Sequence, residues 1–259
     1  MIDSADPGFW SDLVENVARA TWETLYMVLA TMIITWVVGL AIGVALVATD
    51  RGGILQAPFG SRALGRAINI VLAVIVNVTR SVPFVILMIA LIPVTFVLIG
   101  TSFGSTAAIV PLSVAAIPFF ARIVEIAVRE VAPGKVEAAD ALGATRWQIL
   151  TKVLVPEAMP AIVLGFTTTV VSIINFSAIA GVIGAGGLGD LAIRYGYQRY
   201  STEYIVAVVL VLLVLVQALQ STGGFLARRL DHERPRARRR ETSAADADPP
   251  GSPTDRPVG

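Results

Sequence analysis

The sequence has no cysteine, and its single histidine, His232, sits in a polar tail. Thiol chemistry and a Cys/His zinc site are therefore excluded. Charge is scarce too, at 15% of residues against 55% hydrophobic ones, with a mean hydropathy of +0.75. A soluble domain of 259 residues rarely has that balance, so composition alone points to a membrane protein. No basic stretch precedes the first apolar run, which follows Asp3, Asp6, Asp12 and Glu15 instead. The N-terminus does not read as a cleaved signal peptide.

What the chain does have is long apolar runs. About 18 to 25 such residues cross a bilayer, and five stretches qualify: Leu25–Ala48, Ser81–Leu98, Ala107–Ile126, Met159–Ile183 and Tyr204–Leu219. The expected fold class is an all-α integral membrane protein with five spans. The second span has two readings, because Asn69, Asn77, Thr79, Arg80 and Pro83 interrupt its run. In one, residues 68–79 extend below the membrane and Arg80 lies near the interface. In the other, a longer, tilted span begins near Ile70.

Basic residues set the orientation. Arg51, Arg62 and Arg66 lie between spans one and two. Arg122, Arg129, Lys135, Arg146 and Lys152 lie at or between spans three and four, and Arg228, Arg229 and the 234–240 arginine cluster follow span five. Those segments are expected in the cytoplasm, which puts the N-terminus outside. Three parts are expected: residues 1–20 outside, a membrane domain over 21–230, and a tail over 231–259. The tail is rich in Pro, Arg, Ala, Asp, Ser and Gly, a composition that favours disorder. Its arginines suit a solvated positive-inside anchor or anionic membrane lipid.

The loop over about 132–157 is too ordered to be a linker. Pro133-Gly134 breaks the preceding helix, and Val136 to Leu142 then favours helix. Gly143 supplies a turn, while Thr145 and Gln148 have capping-box spacing for a second short helix, expected to end before Pro156. Two short helices with small residues between spans make a docking surface for something in the cytoplasm.

The loop also carries a resemblance. Glu137-Ala138-Ala139, then Gly143, then Val153, Val155 and Pro156 resemble the EAA loop of ABC-importer permeases, with Val in place of the usual Ile and Leu. Further segments are similar to the methionine-importer branch of that family: Trp22-Glu23-Thr24-Leu25, Arg80-Ser81-Val82-Pro83-Phe84, Ile92-Pro93-Val94-Thr95, Gly100-Thr101-Ser102, the 107–112 run, Pro118-Phe119-Phe120-Ala121-Arg122, and Gly184 to Gly189 with Tyr195-Gly196-Tyr197. The similarity covers roughly Trp22 to Leu230.

That resemblance implies a type I importer permease that pairs with its own copy, binds two ABC ATPase subunits and receives methionine from an external binding protein. Glu137, Ala138, Ala139, Leu142, Gly143 and Ala144 would meet the ATPase. A permease of the same class for another small solute, such as glycine betaine, is the alternative. No metal, cofactor or nucleic acid is implied, and ATP hydrolysis would belong to the separate subunit.

Other features can be weighed directly. Gly184 to Gly189 lacks the Gly-Lys-Ser/Thr ending of a phosphate loop and follows an apolar span, so it reads as a close-packed turn. Gly39 and Gly43 have the spacing of a helix-packing motif, within the bundle or across a dimer. Arg122, Glu125 and Arg129 read as one ion-paired helix face. Thr168, Ser172 and Asn175 form a polar stripe on span four, and Ile179 continues it. The stripe suits helix–helix hydrogen bonding or the lining of a substrate path. No span interior holds Asp, Glu, His or Lys, which argues against coupling to protons or ions.

Overall fold

The computed structural model describes residues 7–50 and 62–230. The basic tail and the 51–61 connection lie outside the described residues. Among the described residues there is no strand, and five helices are long and apolar enough to cross a membrane. Helix α1 runs over Phe9–Ala48, so residues 9–20 continue the first span's helix without a break. Helix α2 covers Arg62–Ser81, α3 Phe84–Ala90, α4 Ile92–Ile99 and α5 Ser105–Arg129. The loop forms α6 over Pro133–Ala141 and α7 over Arg146–Ile149. Helix α8 spans Val155–Ala180, α9 Gly187–Leu191 and α10 Thr202–Leu230.

Two expectations need correction. Ser81–Leu98 is not one continuous span. The long helix of that segment is α2, which stops where Pro83 has no N–H to continue it, and α3 starts with Pro83 as its N-cap. Pro93 likewise has no N–H for the Ile89 carbonyl, and Leu91, with a ψ of −3°, separates α3 from α4. The second correction concerns the short helix expected to stop before Pro156: α7 gives way after Ile149, but the helical path does not stop there. Residues 150–154 open into a π-helical turn that carries α7 directly into α8, making one helical path from Arg146 through Ala180. A proline in an α-helix clashes with the carbonyl four residues back, and the wider turn relieves that clash.

Helix α5 is the centre of the bundle. Its Leu112, Ala116, Phe120 and Val124 are fully enclosed. Helix α1 lies against it through Gly39 and Gly43. A Cβ on Gly43 would stand 2.5 Å from the Ala121 carbonyl oxygen and 2.6 Å from Val124 Cβ. The glycine pair therefore packs inside the chain. Close approach lets Trp36 stack on Phe120 at 5.6 Å, with Phe166 of α8 edge-on to Trp36 at 4.8 Å. Higher up, Phe84 of α3 stacks on Phe176 of α8 at 4.7 Å. Burying such rings supplies much of the contact energy where lipid removes the usual hydrophobic drive.

At one end of the bundle, Glu125 is buried and held from both sides. Arg122 and Arg129 each donate to it at 2.8 Å, and Arg129 also meets Asp50 at 2.8 Å. A buried carboxylate is tolerable only when charges and hydrogen bonds compensate it in this way. The expected ion-paired face is present, and it additionally ties the end of α1 to α5.

At the other end, Gly184, Gly186 and Gly187 all have positive φ. The N-terminal N–H groups of α9 would be orphans in so short a helix. Instead Gly187 N–H donates to the Glu23 carboxylate at 2.8 Å, and Leu188 N–H donates to the Thr24 hydroxyl at 2.9 Å. Gly104 N–H donates to the Gly184 carbonyl at 2.9 Å. The glycine run is a close-packed turn, as its composition suggests.

Candidate functional site

The loop between α5 and α8 is built by local chemistry. Gly143 adopts a φ of +77°, and its N–H reaches the Asp140 carbonyl at 2.9 Å while Ala144 N–H reaches Ala139 at 3.1 Å. Those two bonds and the left-handed glycine make a Schellman stop for α6. Two residues later the capping box forms: Gln148 N–H donates to the Thr145 hydroxyl at 3.3 Å, and Thr145 N–H donates to the Gln148 side chain at 2.8 Å. Lys135 and Glu157 pair across the base of the loop.

The loop has two faces. Val136, Ala139 and Ala144 pack inward against Ile149, Leu150 and Leu154. Glu137, Ala138, Leu142 and Gly143 are exposed. Leu142 is 88% exposed and Trp147 63% exposed, on the same loop. Large apolar side chains left uncovered on an ordered, polar loop mark a contact surface. Trp147 is not among the contact residues expected from the sequence. Its place beside the capping residues, on the side of the turn away from buried Ile149, is the signal that it stays exposed.

The α8 stripe lies on an open face of the chain. Thr168, Asn175 and Ile179 are exposed and Ser172 is half-buried. The hydroxyls of Thr168 and Ser172 bond back to Leu164 and Thr168 carbonyls at 3.2 and 3.1 Å. They make no hydrogen bond to another helix of the same chain, so packing within the monomer does not account for the stripe. Among the described residues no cluster of three His, Cys, Asp or Glu is placed to hold a metal ion.

A third polar feature escaped the sequence. Glu23, Thr24 and the N-terminus of α9 meet across 164 positions. The adjacent acid and hydroxyl at the end of an apolar run were visible, but their partners are backbone groups of a distant turn. Beside them Arg19 pairs with Glu23 at 3.6 Å and Arg194 with Asp190 at 2.6 Å, lining a cleft of about 400 Å³.

Residues 51–232 match the family described as the binding-protein-dependent transport system inner membrane component. This chain belongs to that family of membrane transport permeases. It is 49% identical over 213 residues to the probable D-methionine transport system permease protein MetI of Vibrio cholerae, covering 82% of this chain and 91% of that one. It is 41% identical to the methionine import system permease protein MetP of Bacillus subtilis, over 85% and 95% of the two chains. Among solved structures, it superposes on a chain of the MetNI methionine ABC transporter in an inward-facing conformation. The TM-score is 0.77 at 40% identity, covering 88% of this chain and all of the other. The fold is that of a type I importer permease.

Proposed function

We propose that this chain is the permease subunit of an ATP-driven methionine importer. Two copies pair around one pathway, two ATPase subunits bind their cytoplasmic loops, and an external binding protein delivers substrate. The observation that carries the reading is the exposed Leu142–Trp147 surface on a rigid loop fused to the stripe-bearing helix. The names borne by the relatives support methionine as the substrate.

In this reading the loop end, with Asp50, Glu125 and Arg129, is cytoplasmic, and the glycine turn faces outside. The basic residues of the sequence support that orientation. ATP binding closes the ATPase pair and draws the two loops together. Because α7 continues into α8, that movement inclines the helices bearing Thr168, Ser172 and Asn175, and the pathway turns from inward- to outward-facing. The stripe offers no fixed charge to a zwitterion. Substrate binding along the path is therefore weak, and the external protein supplies most of the selectivity.

The test is reconstitution in vesicles of the full chain with a candidate ABC ATPase subunit from the same organism. With ATP inside and the binding protein outside, labelled methionine should accumulate. Movement of a betaine but not methionine would overturn the substrate and leave the permease standing. Failure of the ATPase to copurify would overturn the permease assembly itself.

A further inference from the structure

A groove of about 470 Å³ runs along the side of the bundle between α1, α8 and α10. Leu29, Met32 and Trp36 of α1 line it, with Phe166 of α8 and Leu215 and Leu219 of α10. Its lining side chains are apolar or aromatic apart from Thr24 at one end, whose hydroxyl already accepts the Leu188 N–H. Water needs two or more polar partners to occupy a site stably, so this groove does not suit it.

Its position separates it from the pathway. On α8 the groove residues Val163, Phe166 and Val170 fall on one side, and Thr168, Ser172 and Asn175 fall on the opposite side at 100° per residue. If the stripe faces the second copy, as proposed above, the groove is turned away from it and towards the bilayer. From Thr24 to Val37 the groove follows α1 for about 20 Å. One leaflet of hydrocarbon is about 15 Å deep.

The foot of the groove is basic. Leu226 lines it, and Arg229 follows three residues on, on the same side of α10. The Arg229 guanidinium lies over the Phe225 ring at 4.5 Å. That contact uses the face of the group, and its N–H donors lie on the edge, as phosphate recognition requires.

We infer that this groove is a binding site for one anionic phospholipid, with an acyl chain along Trp36 and Leu219 and the phosphate at Arg229. A lipid seated there completes the α1–α8–α10 wall where protein leaves it open.

Trp36 is the reporter. With Trp10 and Trp22 replaced by phenylalanine, the remaining Trp147 sits on the loop, away from the acyl chains. The full chain, assembled with its ATPase and stripped of lipid in detergent, is titrated with phosphatidylglycerol or phosphatidylcholine brominated along the acyl chain. Native mass spectrometry counts the bound lipid. Expected is saturable quenching at one lipid per permease chain, with phosphatidylglycerol binding about fivefold more tightly. Arg229→Gln should abolish that preference and leave quenching at saturation intact. Leu219→Phe should reduce quenching by filling the groove, while Leu210→Phe on the opposite face should not. Saturable binding to a chain found monomeric would support the site while sinking the dimer. An unquenched Trp36 in the assembled dimer would mean that protein covers the groove and would overturn the inference. Quenching that rises without saturation and ignores both Arg229→Gln and Leu219→Phe would also overturn it.

Discussion

The Glu23 carboxylate accepts the Gly187 backbone N–H at 2.8 Å, joining the first long helix to the turn before the last one. A Cβ on Gly186 would stand 2.7 Å from the same carboxylate, so glycine is what lets the two approach. Glu23→Ala removes a charge-assisted acceptor and leaves an amide unsatisfied, at a cost of about 1–3 kcal/mol. The expected outcome is a lower unfolding temperature of the purified permease, with Glu23→Gln intermediate. Equal stability of all three proteins would show that the contact does not hold this end together.

Gly43→Val should be more damaging than Gly39→Ala. The first places atoms against the Ala121 carbonyl and the Val124 side chain, which cannot yield without separating α1 from α5. The second meets Phe120 Cδ1 at 3.0 Å and the Ile117 carbonyl oxygen at 3.2 Å, a milder conflict. Overpacking of this kind costs about 1–3 kcal/mol. Thermal unfolding monitored by size-exclusion chromatography should rank the wild type first, Gly39→Ala second and Gly43→Val last.

Glu137→Lys and Gly143→Pro should abolish uptake while leaving the chain in the membrane. The lysine reverses charge on the exposed face of α6. The proline cannot adopt a φ of +77° and lacks the N–H that bonds Asp140. Retention of the ATPase subunit on the purified mutants separates lost docking from lost transmission. Normal uptake in both would sink the coupling assignment.

The loop was legible because its bonds are local: Gly143, Thr145 and Gln148 act within six residues of chain. The second span was not, because Pro83 and Pro93 restart helices whose direction is set by packing against α5 and α8. Pro156 misled for a different reason. A proline reads as a stop unless the helix can widen, and the sequence does not display that option. The pairing of Glu23 and Thr24 with α9 lies beyond any local pattern. The stripe on α8 was visible by period alone, but its open position, with the Thr168 and Ser172 hydroxyls bonded only within their own helix, was not.

Ser172→Leu or Asn175→Leu should impair methionine uptake at normal expression and ATPase association. In the proposed pathway each would narrow the path and remove a polar group from its lining. The check is binding-protein-dependent accumulation in vesicles. Unchanged uptake in both would make the stripe a packing surface between copies.

Truncation after Arg229 should leave ATP-dependent uptake intact, since Arg228 and Arg229 remain to anchor the end of α10. Uptake in vesicles at matched protein levels checks this. Loss of transport would give the tail a docking or regulatory part.

The π-helical turn at 150–154 joins α7 to α8, so the helical path runs on from Arg146 to Ile183, short of the left-handed Gly184, over about 55 Å. A continuous helical path of that length works as a lever between its two ends. Each degree of inclination applied at Trp147 carries its far tip sideways by about 1 Å. In the proposed transport cycle, a modest nudge at the loop would therefore become an aperture change of atomic dimensions at the far surface, with the amplification coming from length rather than from strain.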